Sequence, residues 1–226
     1  MTKLLVAVGV AATGTTDNTE VLDLASPITT CKTLPNFPLA VFGAFGGLGY
    51  EDNPIICGGL NASTSYNNKC YSFNVSEWIP SPNMMSAKAY AAVSVSPNQT
   101  SLSKLFVTGG QISSSSFLNT TEALTPNGWK TLPQSLPVNI HLHCSVFVNS
   151  TTLIIIGGIQ NEVYSPLTYY LNTDSNFWVS GPTLNIERCQ QGCGKIRKDR
   201  HSSEFSIIVA GGSNGSQRTI RRFRKK

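Results

Sequence analysis

Charge is scarce in this chain, and so are the motifs that usually carry chemistry. Only 13% of its 226 residues are Asp, Glu, Lys or Arg, about half the share in an average soluble domain. No run of about eighteen apolar residues occurs, so no segment is long enough to cross a membrane as a helix. There is no G-x-S-x-G nucleophile elbow, no H-E-x-x-H helix, no phosphate-binding loop and no dinucleotide fingerprint. The acids Asp17, Asp23, Glu51, Asp52, Glu77, Glu122, Glu162, Glu187 and Glu204 are scattered, and no pair recurs as acid and base partners would. A non-catalytic protein that binds no cofactor and no metal is expected.

The formal charge of +5 points to an anionic partner only until it is located. Residues 217–226 hold six basic residues and no acid; the rest of the chain sets eleven basic against twelve acidic residues and carries −1. The body therefore lacks a general basic surface, and no nucleic-acid partner is expected. The basic tail is either a patch for heparin, nucleic acid or nuclear import, or a frayed terminus. The second reading is preferred, because the cationic run interrupts an unfinished repeat.

What the chain has in quantity is repetition. The apolar runs IICGG, LFVTGG, LIIIGG and IIVAGG end at Gly58-Gly59, Gly109-Gly110, Gly157-Gly158 and Gly211-Gly212, and a degraded copy, LLVAVG, ends at Val8-Gly9. Successive second glycines stand 50, 51, 48 and 54 residues apart. Trp78, Trp129 and Trp178 follow the second glycine by 19, 19 and 20 residues. Two features locked to one period mark a repeat architecture, in which each unit needs its neighbours to cover its apolar faces. The opening residues 1–14 also suit a leader peptide, but LLVAVG keeps the downstream period and is read as a strand.

Each repeat divides into four strand-like pieces. An alternating segment comes first: Leu39–Phe45, Ala89–Val95, His141–Val148 and Arg188–Ile196. The continuous apolar run follows, as in a strand buried on both faces. After a polar loop comes a third segment, at Thr19–Leu24, Lys69–Phe73, Thr121–Thr125 and Thr168–Leu171. A Trp segment running into proline closes the unit, as an edge strand would. The glycine pair fits a tight exit turn with close backbone approach.

The glycine pair, the strand after it and the spaced Trp resemble the kelch family over nearly the whole chain. CKTLP at Cys31–Pro35, the run Ile55–Phe73 and HLHC at His141–Cys144 are similar, more narrowly, to secreted invertebrate kelch proteins. The resemblance implies an all-β fold, a kelch-type β-propeller with blades of four-stranded antiparallel sheet and tryptophans packed between adjacent blades. Kelch propellers usually close six or seven blades, and this chain supplies about four to five, an incomplete ring. The blades are placed at approximately 1–37, 38–82, 83–133, 134–182 and 183–216, the first lacking its inner strand and Trp (Ile28 stands there), the last breaking off. Arg188–Ile196 could instead complete the first blade of a four-bladed ring, at the cost of stranding the run before Gly211-Gly212.

Six cysteines and six N-glycosylation sequons suit an oxidising, extracellular compartment. Cys57 and Cys70 flank one strand-loop-strand turn and are the candidate disulfide; the rest of the connectivity is open. Cys189 and Cys193 lack the second pair that a zinc site needs. The sequons stand at Asn61, Asn74, Asn98, Asn119, Asn149 and Asn214. His141 and His143 alternate on one strand face with Cys144 on the other, so a shared metal is not expected. Lys88, His141 and Arg188 open successive alternating segments and are candidates for a ligand face. Tyr66, Phe117 and Tyr164 are the aromatic residues of the polar loops, which are the candidate contact surface for a protein or glycan partner. Two other readings remain: a cytoplasmic kelch domain that recruits substrates (ubiquitin-ligase adaptor or actin-binding type), and a fragment of a galactose-oxidase-like copper enzyme, whose tyrosine–cysteine chemistry maps onto no residues here.

Overall fold

The computed structural model describes residues 3–23, 25, 32–97, 103–175, 177–197 and 204–215. Cys31, Ile28, Asn98 and the basic tail 217–226 lie outside them. The described residues form antiparallel strands with one short 3-10 turn at Tyr50–Asp52 and no α-helix. They fall into two compact units, Met1–Ala89 and Tyr90–Lys226.

The first unit holds two sheets. β1 (Lys3–Ala11), β2 (Gly14–Asp23) and β3 (Lys32–Leu34) make a three-stranded sheet in that order. β4 (Phe45–Leu48), β5 (Pro54–Cys57), β6 (Cys70–Asn74) and β7 (Glu77–Ser81) make a four-stranded meander. The core between them is built from Phe37, Val41, Phe73 and Trp78, packed with Leu5, Ala7, Leu34 and Ile56. Trp78 meets Phe37 and Phe73 edge-on, with centroids 4.9 and 5.1 Å apart. Its Nε1 donates to Thr19 Oγ1 on β2 at 3.2 Å, so the indole is both buried and satisfied.

The second unit continues with β8 (Ala92–Val95), β9 (Leu105–Thr108), β10 (Gln111–Ser113), β11 (Ser116–Phe117), β12 (Thr121–Thr125) and β13 (Gly128–Thr131). Then come β14 (Ile140–His141), β15 (Cys144–Phe147), β16 (Thr152–Ile156), β17 (Ile159–Gln160), β18 (Val163–Tyr164), β19 (Thr168–Asn172) and β20 (Phe177–Ser180). β21 (Gly192–Arg197) and β22 (Phe205–Ala210) end the described chain. Two four-stranded sheets, β8-β9-β12-β13 and β15-β16-β19-β20, repeat the order of the first unit's meander. β16 explains its own position: Leu153, Ile154, Ile155 and Ile156 are all buried, because strands flank it and neighbours cover both faces. Trp178 closes the core with Phe106, Ala123, Leu136 and Leu171.

One sequence-based expectation is corrected. β21 pairs with β22 from Gly192↔Ala210 to Arg197↔Phe205, but the alternating segments are not continuous strands. A residue in the left-handed region interrupts each one: Gly43, Tyr90, Leu142 and Gln190, with φ of 64, 55, 54 and 55°. The strands β4, β8, β15 and β21 start only after that bend. In the second unit the bends are linked by backbone hydrogen bonds, Leu142 N to Tyr90 O at 2.9 Å and Gln190 N to Leu142 O at 2.8 Å. These bonds hold the strained residues in place, which alternation alone could not announce.

Candidate functional site

The glycine pairs create the local geometry from which the loops project. Gly58 and Gly59 have φ of 66 and 97°, and Gly59 N donates to Lys88 O at 2.9 Å. A Cβ on Gly58 would stand 2.5 Å from that carbonyl, so any side chain there forces the two segments apart. Gly110 N reaches Ile140 O at 2.8 Å, and Gly158 N reaches Arg188 O at 2.7 Å. The counterpart of Lys88 and Arg188 is therefore Ile140, not His141. The proposed row of three repeated polar groups is one residue out of phase at its middle member.

Beyond the glycine pairs at Gly58-Gly59, Gly109-Gly110 and Gly157-Gly158 the polar loop folds back as a small hairpin. Leu60 bridges to Phe42 and Tyr66 in the first unit. β10 pairs with β11, placing Gln111 opposite Phe117. β17 pairs with both β14 and β18, giving the cross-strand row His141–Ile159–Tyr164. Tyr66, Phe117 and Tyr164 follow the second glycine by 7, 7 and 6 residues, so they occupy one position in three successive repeats. All three are half-buried. Tyr164 lies against Gly215, where a Cβ would come within 3.0 Å of its ring. Burial raises the Tyr66 phenol above its usual pKa. The hairpin tips carry exposed Ala62, Ser63, Thr64 and Ser65, then Ser114, Ser115 and Ser116, then Asn161, Glu162 and Val163. They are almost without charge.

The residues singled out for a ligand face are buried. Lys88 is 0% exposed, Arg188 6% and His141 7%. Arg188 Nη1 donates to Gly211 O at 3.0 Å, tying the side chain to the following glycine pair. The imidazole of His141 is covered by Phe117, and burial lowers its pKa. His143 fills the space beside Gly158 and pairs through Nε2 with Thr108 Oγ1 at 2.7 Å. Burial, with His141 close by, pushes its pKa down to about 3. The bend at Leu142 breaks the strand parity expected for these histidines, so each imidazole has its own surroundings. Among the described residues, no three His, Cys, Asp or Glu side chains gather as metal ligands.

Cys57 and Cys70 are cross-strand partners on β5 and β6, with Cα atoms 4.1 Å apart, and form a disulfide. A second disulfide, Cys144–Cys193, was not legible in the sequence. It joins β15 to β21, the leading strands of two successive sheets, across 49 residues of chain. The same row of strands is joined by Ser94 Oγ, which donates to Ser145 Oγ at 2.7 Å. Cys189 remains a buried free thiol with its pKa raised by burial. Of the sequons, Asn61, Asn74 and Asn149 are exposed and Asn119 and Asn214 half-buried. Asn98 lies outside the described residues.

The first unit also contains an apolar groove of about 880 Å³ between β1 and β4, lined by Leu5, Ala7, Phe45, Gly46, Ile56 and Phe73. Gly46 and Gly47 supply no side chains to fill it, and β1 has a strand partner on one edge only among the described residues.

No protein-family model matches the chain, and no curated protein matches it. Among solved structures it is similar to one described as "Structure of YjhT", at 16% identity and a TM-score of 0.75, covering 97% of this chain and 76% of that one. At that identity the likeness establishes a shared fold and nothing about activity.

Proposed function

We propose that this chain is part of a kelch-type β-propeller that acts by binding, presenting its loop hairpins to a protein or glycan partner outside the cell. The observation that carries the reading is the recurrence of one hairpin after three successive glycine pairs, with an aromatic residue in the same place each time. Rigid four-stranded sheets anchor the hairpins, and small hydroxyl and amide side chains form their tips. That is the usual division between scaffold and recognition loops. The propeller reading is supported by the side-by-side strands β8, β15 and β21 and the backbone bonds that step from Tyr90 to Leu142 to Gln190. The two disulfides fit an oxidising compartment. Lys88, His141 and Arg188 are buried, which favours the exposed tips as the contact surface in this reading.

The test is a binding screen of the disulfide-bonded chain against arrayed glycans and extracellular protein ectodomains. Any hit is repeated with Ser115→Asp and Asn161→Asp, placed in two different tips. Loss of binding in these variants, with unchanged melting temperature, is the expected result. Binding that survives both substitutions removes the hairpins from the interface and overturns the reading.

A further inference from the structure

The five sequon asparagines among the described residues are not equivalent in local geometry. Asn149 sits in the turn between β15 and β16, and its Oδ1 accepts Thr151 N at 2.9 Å and Thr152 N at 2.7 Å. Thr151 Oγ1, the sequon hydroxyl, also reaches that oxygen at 3.4 Å. With Oδ1 committed to the turn, the Nδ2 end of the exposed carboxamide is the one left for chemistry. Asn61 shares the engaged oxygen: its Oδ1 accepts Ser65 N at 2.9 Å, and Ala62 and Ser63 are exposed. Asn74 ends β6 beside Val75, which is 91% exposed.

Asn119 differs in being half-buried on a segment whose backbone is fastened to its neighbours. Its segment is fastened by Gly109 N to Thr120 O at 2.9 Å, Ile140 N to Leu118 O at 3.0 Å and Leu136 N to Asn119 O at 2.7 Å. The sequon threonine, Thr121, is 0% exposed at the start of β12. In the preceding repeat the corresponding residue, Asn68, uses its Nδ2 as a structural donor to Met84 O at 2.9 Å.

We propose that Asn61, Asn74 and Asn149 carry N-linked oligosaccharides through Nδ2, and that Asn119 stays bare. In the step that forms each linkage, Nδ2 bonds to the anomeric carbon of an oligosaccharide held on a lipid pyrophosphate. The carbon–oxygen bond to the pyrophosphate breaks, the amide gives up one proton, and nothing is oxidised or reduced. The turns bearing Asn74 and Asn149 lie at the ends of their sheets opposite the glycine pairs. Glycans there stand away from the loop hairpins, whereas a glycan on Asn61 stands on the first hairpin itself and leaves the tips at residues 114–116 and 161–163 open.

This inference rests on the reading that the chain passes through an oxidising secretory compartment. The test expresses the full chain behind a cleavable leader in a eukaryotic host. Secreted and retained fractions are treated with peptide N-glycosidase in heavy-oxygen water, and each sequon peptide is weighed. Label at Asn61, Asn74 and Asn149, none at Asn119, and loss of one glycan from each of Asn61→Gln, Asn74→Gln and Asn149→Gln are expected. Label at Asn119, or bare Asn61, Asn74 and Asn149 in chains whose disulfides have formed, overturns it. Free thiols at Cys57 and Cys70 together with empty sequons in the natural protein would instead defeat the secretory reading beneath it.

Discussion

The ring of Phe117 lies flat on the imidazole of His141, with 4.3 Å between centroids and 8° between planes. Phe117 belongs to the hairpin of one repeat and His141 to the segment leading into the next, so the stack fastens that hairpin to the segment beside it. Behind it, His143 is buried as well.

Buried neutral histidines make stability depend on acidity. The pKa of His143 in the folded chain is about 3, against about 6.5 when unfolded. Between those values the unfolded chain holds a proton that the folded chain excludes, so stability falls as pH drops from about 6.5 towards 3. One such group contributes a slope of up to about 1.4 kcal/mol per pH unit. His143→Gln should flatten the loss between pH 6.5 and 5, because Gln191 already fills the matching place in the next repeat and donates to Ile156 O at 2.6 Å. Denaturant midpoints across that range are the measurement. Equal slopes in the two proteins would show that His143 is not the source.

The disulfides should differ in weight. Cys57–Cys70 spans 13 residues and Cys144–Cys193 spans 49; on loop-closure entropy they contribute about 3 and about 4 kcal/mol. Cys193→Ser should therefore lower the melting temperature more than Cys70→Ser. It should also open the β21–β22 hairpin to limited proteolysis, since the bridge joins that two-stranded sheet to β15. Non-reducing peptide mapping that links Cys144 to anything but Cys193 would contradict this.

Glycine is required at some positions and incidental at others. Gly58→Ala puts a methyl group against Lys88 O and the ring of Phe45, at a φ of 66°, and should cost about 2 kcal/mol or more. Gly194→Ala meets nothing within 4 Å and should be near neutral. Chemical denaturation of both variants gives the comparison, and similar midpoints would refute the claim of close approach.

The amino-acid sequence by itself marked out the repeated antiparallel strands that form the four-stranded sheets, because each property involved is local. A fifty-residue period, apolar runs stopped by glycine pairs, and proline after each Trp are read along the chain with no partner in view. The Cys57–Cys70 bridge was legible for the same reason: one hairpin brings its two ends together. What only the tertiary structure decided depends on which repeat stands beside which. The left-handed bends at Tyr90, Leu142 and Gln190 are held by bonds from one repeat to another, and no glycine signals them. That hidden bend placed Ile140, not His141, in phase with Lys88 and Arg188. The bridge from Cys144 to Cys193 and the stack of Phe117 on His141 likewise require neighbouring repeats to be in contact, and such contacts leave no local mark on the chain.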